Sequence, residues 1–240
     1  MRTLYIGNKN YSSWSMRPWV LMKQTGIAFD EVKVRFDSFE AESEFKRKIG
    51  ALNPTGKVPL LVDGDLAVWD TLAIAEYLAD SFPDMPLWPQ GKAERARARS
   101  ICAEMHSGFM ALRTHCGMNI DADLSEVGRK IWNEQAAVRA DVERIVAMWR
   151  ELLDAHAGTH ADGMLFGEFG IADAYYAPVA MRLTRYGLTV PPDVADYMTR
   201  LQALPGVRAW IDDAVAEKDF LPFEEPYRTA PGAPYRTAAA

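Results

Sequence analysis

Cysteine is scarce in this 240-residue chain: there are only two, Cys102 and Cys116. Two thiols cannot build a disulfide framework, so the expected setting is a reducing, cytoplasmic one. A basic excess is also missing, since formal net charge is -6. That excludes nucleic-acid binding by bulk phosphate neutralisation. No apolar run is long enough to span a bilayer, and the first residues, Met1 to Gly7, pass directly into a strand-like run. A soluble chain with no membrane partner and no leader is the expectation. What is present is globular: 49% hydrophobic and 25% charged residues, enough for two ordinary domains with a sizeable core.

The first 80 residues read β-α-β-α-β-β-α. Residues 3–7 form a short strand, and Arg17 to Gln24 a helix stopped by Thr25-Gly26. Residues 29–36 alternate as a strand does, and residues 40–50 form an amphipathic helix. Val58 to Val62 and Leu66 to Trp69 flank the turn signal Asp63-Gly64-Asp65, and a helix follows from Thr71 to Asp80. Three prolines between Pro83 and Pro89 end that helix, so residues 81–91 read as a linker. From 92 to 222 only helical spacing occurs, with one helix expected over 92–114, another over 126–154, and further helices at 171–186, 193–204 and 206–217. Residues 223–240 repeat Pro-Tyr-Arg-Thr-Ala at 226–230 and 234–238, which composition marks as a flexible Pro/Ala-rich tail.

Three short signals carry chemistry. Ser12, Ser13 and Ser15 cluster where a helix begins, and free N–H groups there favour negative charge. A serine at such a position either caps the helix or donates to a bound thiolate. Asn53-Pro54-Thr55-Gly56-Lys57-Val58-Pro59 leads into a strand; a cis Val58–Pro59 bond would turn Val58 outward to pair with an extended peptide. Asp70-Thr71 opens another helix, a setting suited to a carboxylate, with Asp70 either available to an ammonium or simply capping the helix.

In that order, these motifs resemble the cytosolic glutathione S-transferases over nearly the whole chain to about Phe223. Ser12-Ser13-Trp14-Ser15-Met16-Arg17 is similar to the Ser-Ser-Cys-Ser-x-Arg turn of the zeta class, the maleylacetoacetate isomerases, with Trp14 in place of the cysteine. The resemblance implies a thioredoxin-like α/β N-terminal domain followed by an all-α helical-bundle domain. It implies glutathione as co-substrate, a small electrophilic substrate, conjugation, isomerisation or dehalogenation, and a homodimer. It makes Ser12 the first candidate for the thiol, then Ser13, then Ser15. Lys57, Val58, Pro59, Asp70 and Thr71 become the glutathione-holding set. The alternative is a non-catalytic binding or regulatory protein on the same fold. A thiol–disulfide oxidoreductase is discounted, because no cysteine stands at the helix start.

Met105, Phe109 and Arg113, one stripe of the first long helix, are the candidates to line the acceptor pocket, with ordinary core packing the favoured reading for Met105. Gly167 to Asp173 reads as a structural capping box, with Gly170 in place of the usual hydroxyl residue. No metal is expected. His156 and His160 flank Gly158 in a loop, and Cys102 with His106 lacks further ligands.

Overall fold

The computed structural model describes residues 1–158, 160 and 162–233. Strands β1 (Arg2–Ile6), β2 (Asp30–Lys33), β3 (Leu60–Asp63) and β4 (Leu66–Val68) form one sheet in the order β2-β1-β3-β4. β1 runs parallel to β2 and antiparallel to β3, and β3–β4 is a hairpin. Helices α1 (Ser13–Thr25), α2 (Glu44–Gly50) and α3 (Thr71–Ser81) complete a thioredoxin-like order.

β1 is placed by Leu4 and Ile6, both fully buried. The strand expected over 29–36 pairs only from Asp30 to Lys33. Beyond it the chain leaves the sheet edge, because Phe36 turns in to pack edge-on against Phe45 at 4.9 Å. Gly7 permits this crossing: a Cβ there would stand 2.1 Å from Phe36 Cζ. α1 ends at Gly26 in the left-handed conformation (φ 75°), and the Ile27 N–H closes onto the Met22 carbonyl at 2.9 Å. Inside α1, Pro18 has no N–H for the Trp14 carbonyl four residues back. That carbonyl instead accepts the Thr71 hydroxyl at 3.4 Å, tying the start of α3 to the start of α1.

The second half is helical: α4 (Lys92–Ser107), α5 (Met110–His115), α6 (Ser125–Glu134), α7 (Ala136–Ala155), α8 (Ile171–Arg185), α9 (Pro192–Ala203) and α10 (Pro205–Glu217). Two expected single helices are each broken. The first breaks where Gly108 is extended (φ -110°, ψ -165°) and Phe109 is left-handed (φ 54°). The second breaks at Gln135 (φ -106°, ψ 86°). Periodicity continues through both points because the apolar faces on either side still meet one core. α8 is buried from Ile171 to Leu183 and packs against α1 and α4, so both halves of the chain share that core. The linker is pinned to it by the Ile171 N–H, which donates to the Leu87 carbonyl at 2.9 Å.

After α10 the chain passes Lys218 (φ 48°) and returns across the molecule through a single 3-10 turn, Pro222–Glu224. Contrary to a flexible tail, the first repeat is docked. The Tyr227 hydroxyl donates to the His115 carbonyl at 2.7 Å, and its ring meets Tyr186 edge-on. The second repeat, 234–238, lies outside the described residues.

Candidate functional site

A cleft of about 540 Å³ opens between the two halves of the chain. One wall is the β1–α1 turn with Tyr11, Ser12, Ser13 and Trp14. The floor comes from Phe36, Phe39, Phe45, Lys46, Lys57 and Val58. The opposite wall is Met110, Arg113, Thr114, Gly117, Met118, Arg182 and Glu224.

The serine turn is held from both sides. The Asn8 carbonyl accepts the N–H groups of Tyr11 (3.1 Å) and Ser12 (2.8 Å). Asn10 Oδ1 accepts the N–H groups of Ile120 (2.7 Å) and Asp121 (2.8 Å) from the helical half. Buried Lys9 pairs with Glu31 (2.7 Å) and Asp213 (2.6 Å) and sits over the Trp19 and Trp210 rings. A turn held this way is preorganised, with little freedom left to lose on binding.

The three serines have different neighbours. Ser12 is the N-cap residue of α1, yet its side chain caps no helix N–H. Its hydroxyl donates to Ser15 Oγ at 2.7 Å. Ser15 is fully buried, also accepts the Gly7 N–H at 3.2 Å, and does not line the cleft. Ser13 Oγ lines the cleft and accepts from Arg182 Nη2 at 3.2 Å. Arg182 is oriented by Nε donating to the Cys116 carbonyl at 2.8 Å. Burial lowers its pKa to about 10, so it remains a cation at neutral pH.

Tyr11 also reaches the cleft, but its phenol is committed. It donates to Glu225 Oε1 at 2.8 Å and accepts the Leu221 N–H at 3.3 Å. Burial and the Glu225 carboxylate push its pKa well up. Trp14 lies between two guanidinium groups, Arg17 at 4.3 Å and Arg113 at 5.0 Å. Arg17 is fully buried, donates through Nε to the Tyr175 carbonyl at 3.1 Å, and has no partner for Nη1 among the described residues.

The Val58–Pro59 peptide is cis, and so is Trp69–Asp70. The loop before Val58 is built by Asn53, whose side chain accepts the Thr55 N–H (2.8 Å) and donates to the Lys57 carbonyl (3.1 Å). Lys46 donates to the Gly56 carbonyl at 2.9 Å. Pro59, Asp70 and Thr71 stand outside the cleft lining. Asp70 caps α3 through the Leu72 N–H (3.0 Å), and its other oxygen meets His106 Nε2 at 3.3 Å. That histidine contact from α4 has no sequence signal, because it joins residues of different domains.

The acceptor stripe is only partly placed as expected. Arg113 lines the cleft, whereas Met105 and Phe109 are buried in the core and do not. The break at Gly108–Phe109 rotates the following residues, so Met110, Arg113 and Thr114 face the opening instead. Sequence reading also missed Phe39, Met118, Arg182 and Glu224, which reach the cleft from distant segments.

Neither cysteine suits thiolate chemistry. Cys102 and Cys116 are fully buried, and burial raises both thiols, Cys116 to about 12. Asp173 serves structure: it accepts the N–H groups of Leu165 (3.0 Å) and Gly170 (3.1 Å) and the Tyr197 hydroxyl (3.1 Å). Among the described residues no group of three or more His, Cys, Asp or Glu is placed to hold a metal ion. No helix among them is long and apolar enough to cross a membrane.

The family model for the glutathione S-transferase N-terminal domain matches residues 11–81, which contain the serine turn, the cis-proline loop and the start of α3. That for the C-terminal domain matches residues 134–213. The chain is 30% identical over 199 residues to glutathione S-transferase 1 of Dianthus caryophyllus, covering 81% of each protein. The chain belongs to the glutathione S-transferase family. It is also 29% identical over 189 residues to a probable maleylacetoacetate isomerase of Caenorhabditis elegans, covering 79% of this chain and 82% of the relative. A solved glutathione transferase homologue from Burkholderia, with bound glutathione, superimposes with TM-score 0.63 at 26% identity over 89% of this chain and 97% of its own.

Proposed function

We propose that the chain is a glutathione transferase whose cleft holds glutathione with its sulfur at Ser12, and that the thiolate attacks a small electrophile seated against the helical wall. One observation carries this reading. The Ser12 hydroxyl lies at the N-terminus of α1, on the cleft, and caps no helix N–H.

A free thiol has a pKa of ~8.5, so most of it is protonated at neutral pH. A hydrogen bond to a charged group is worth ~1.5–3 kcal/mol. At 1.36 kcal/mol per pKa unit this lowers the thiol by about one to two units, enough to populate thiolate near pH 7. Hydroxyl protons rotate freely. When Ser12 turns its proton to sulfur, Ser15 donates back to Ser12 Oγ, so the serine away from the cleft supports the one that lines it.

In this reading Val58, turned by the cis bond to Pro59, pairs with the cysteinyl backbone, and Lys57 meets the glycyl carboxylate. The γ-glutamyl carboxylate takes the N–H groups at the start of α3 beside Thr71, and Asp70 takes the ammonium. On the acceptor side, Met110, Met118 and Phe39 give apolar contact and Arg113 attracts an acidic group.

Ser13 supports a second reading. Its oxygen already accepts from the Arg182 cation, which leaves its own proton available to sulfur. Turnover of 1-chloro-2,4-dinitrobenzene and of maleylacetoacetate by the wild type, Ser12→Ala and Ser13→Ala separates the two. Loss of kcat in Ser12→Ala alone supports the first reading; loss in Ser13→Ala alone moves the role by one residue. Calorimetry with glutathione tests the wider alternative, since no binding at millimolar ligand points to a non-catalytic protein. Homodimer assembly is the expected state, tested by sedimentation.

A further inference from the structure

The C-terminal strap from Lys218 to Tyr227 crosses the cleft and is fastened on both sides. On the sheet side, Asp219 accepts from Arg35 (2.7 and 2.8 Å) and from Asn8 Nδ2 (2.8 Å). Leu221 packs with Tyr11, Phe36 and Phe45, and Phe223 meets Phe39 edge-on at 5.4 Å. On the helical side, buried Glu225 accepts from Asn119 Nδ2 at 2.8 Å and pairs with Arg228, and Tyr227 bonds to His115. Glu224, between these anchors, faces the opening. It is the one acidic side chain among the described residues lining the cleft. Its carboxyl makes no hydrogen bond or ion pair with any described residue, although Lys46, Lys57, Arg113 and Arg182 line the same space.

A carboxyl held half-buried and unpaired in a reaction cleft is available to the substrate. We propose that Glu224 is a general acid in the addition of glutathione to acceptors whose carbon–carbon double bond is conjugated to a carbonyl, a reaction type of the family. This rests on the glutathione-transferase reading above. The glutathione thiolate forms a bond to the β-carbon, and the π pair moves onto the α-carbon and carbonyl as an enolate. Glu224 gives its proton to the α-carbon and becomes a carboxylate. It is reprotonated from solvent, which has received the proton lost by the glutathione thiol, so the net reaction is addition of glutathione across the double bond. Displacement of a halide needs no such proton, because the leaving group departs as an anion.

The environment of Glu224 suits this role. Burial, with the neighbouring Glu225 carboxylate adding to it, raises its pKa from 4.5 to about 7. The other titratable or charged groups facing the cleft are Tyr11 from the β1–α1 turn, Lys46 from α2, Lys57 before β3, Arg113 from α5 and Arg182 from α8. General acid catalysis contributes ~10²–10⁴-fold, and an acid is most effective when its pKa lies near the working pH.

The test compares two probes from pH 5.5 to 8.5: trans-4-phenyl-3-buten-2-one, an enone, and 1-chloro-2,4-dinitrobenzene, an aryl halide. In the wild type, kcat for the enone relative to the halide falls above pH about 7. In Glu224→Gln that ratio drops at least tenfold at pH 6.5 and loses its pH dependence; Glu224→Asp recovers part of both. An unchanged ratio in Glu224→Gln, or a wild type that turns over the halide but not the enone, overturns the proposal alone. A wild type that turns over neither probe and gives no binding heat with glutathione overturns the transferase reading with it.

Discussion

In the β1–α1 turn two of the three serine hydroxyls are held by near neighbours in the chain: Ser12 bonds to Ser15, three positions on, and Ser15 to Gly7, eight positions back, whereas Ser13 bonds to distant Arg182. Across the same cleft, Glu225 is held by Tyr11 and Asn119, which lie 214 and 106 positions away. The first wall is a local motif stiffened by tertiary contacts. The second is set against the helical half by them, and the Glu225–Arg228 pair is a local tie within it. Under the proposed function the local wall would activate the thiol and the assembled wall would select what the thiol meets.

Breaking the assembled wall has the largest expected effect. Glu225→Leu removes the carboxylate that pairs with buried Arg228 and leaves Tyr11 and Asn119 without the acceptor they share. Removing one partner of a buried pair costs ~3–5 kcal/mol. The expected outcome is a loss of that size in urea unfolding, with hydrogen exchange rising across 219–233. Unchanged protection there would show that the strap stands without its knot.

Next comes the local wall. Ser12→Ala removes the donor to the glutathione thiolate; a thiol pKa higher by about one to two units cuts the thiolate fraction at pH 7, and with it kcat, ~10–30-fold. Glutathione affinity by calorimetry should move far less, since the backbone contacts remain. A kcat within threefold of wild type would assign the thiol to another group.

Ser15→Ala sharpens the same point. It leaves the Gly7 N–H buried without an acceptor, a loss of ~1–3 kcal/mol. Thermal unfolding should report this, and kcat should fall by less than in Ser12→Ala.

The smallest effect is a pH dependence of stability. The folded-state pKa of Glu224, about 7, lies above its ordinary 4.5, so the folded state binds this proton more tightly than the unfolded state. Stability from this group is fully present below pH about 4.5 and declines as pH rises to about 7. Glu224→Gln lacks that decline. Its Tm relative to wild type should therefore be higher at pH 8 than at pH 5; no change in the difference would place Glu224 in solvent.

Much of the N-terminal half was legible because its signals are short and stereochemical. The hairpin turn Asp63-Gly64-Asp65, the stop at Gly26 and the Asp70 cap each act over a few residues, and the structure has all three. The cis bond before Pro59 could be suspected from its loop. The helical half was legible as helices but not as a site. Spacing alone carried one helix through Gly108 and Phe109, since nothing local marks Phe109 as left-handed. Phe109 therefore turned into the core, where Met105 already packs on the buried face of α4, and Met110 took the cleft. The first Pro-Tyr-Arg-Thr-Ala repeat has a disordered composition, yet Tyr227 and Arg228 find buried partners that no composition encodes.

By itself, then, the sequence determined the order of elements, the serine turn, the proline loop and the capped start of α3, because each depends on backbone conformations that neighbouring residues set. Only the tertiary structure decided that Ser12 and Ser13 reach the cleft while Ser15 does not, that Arg182 donates to Ser13, that His106 meets Asp70, and that the returning strap places Glu224 in the cleft. Those are meetings of side chains from distant segments, and their geometry follows from packing rather than from any spacing along the chain.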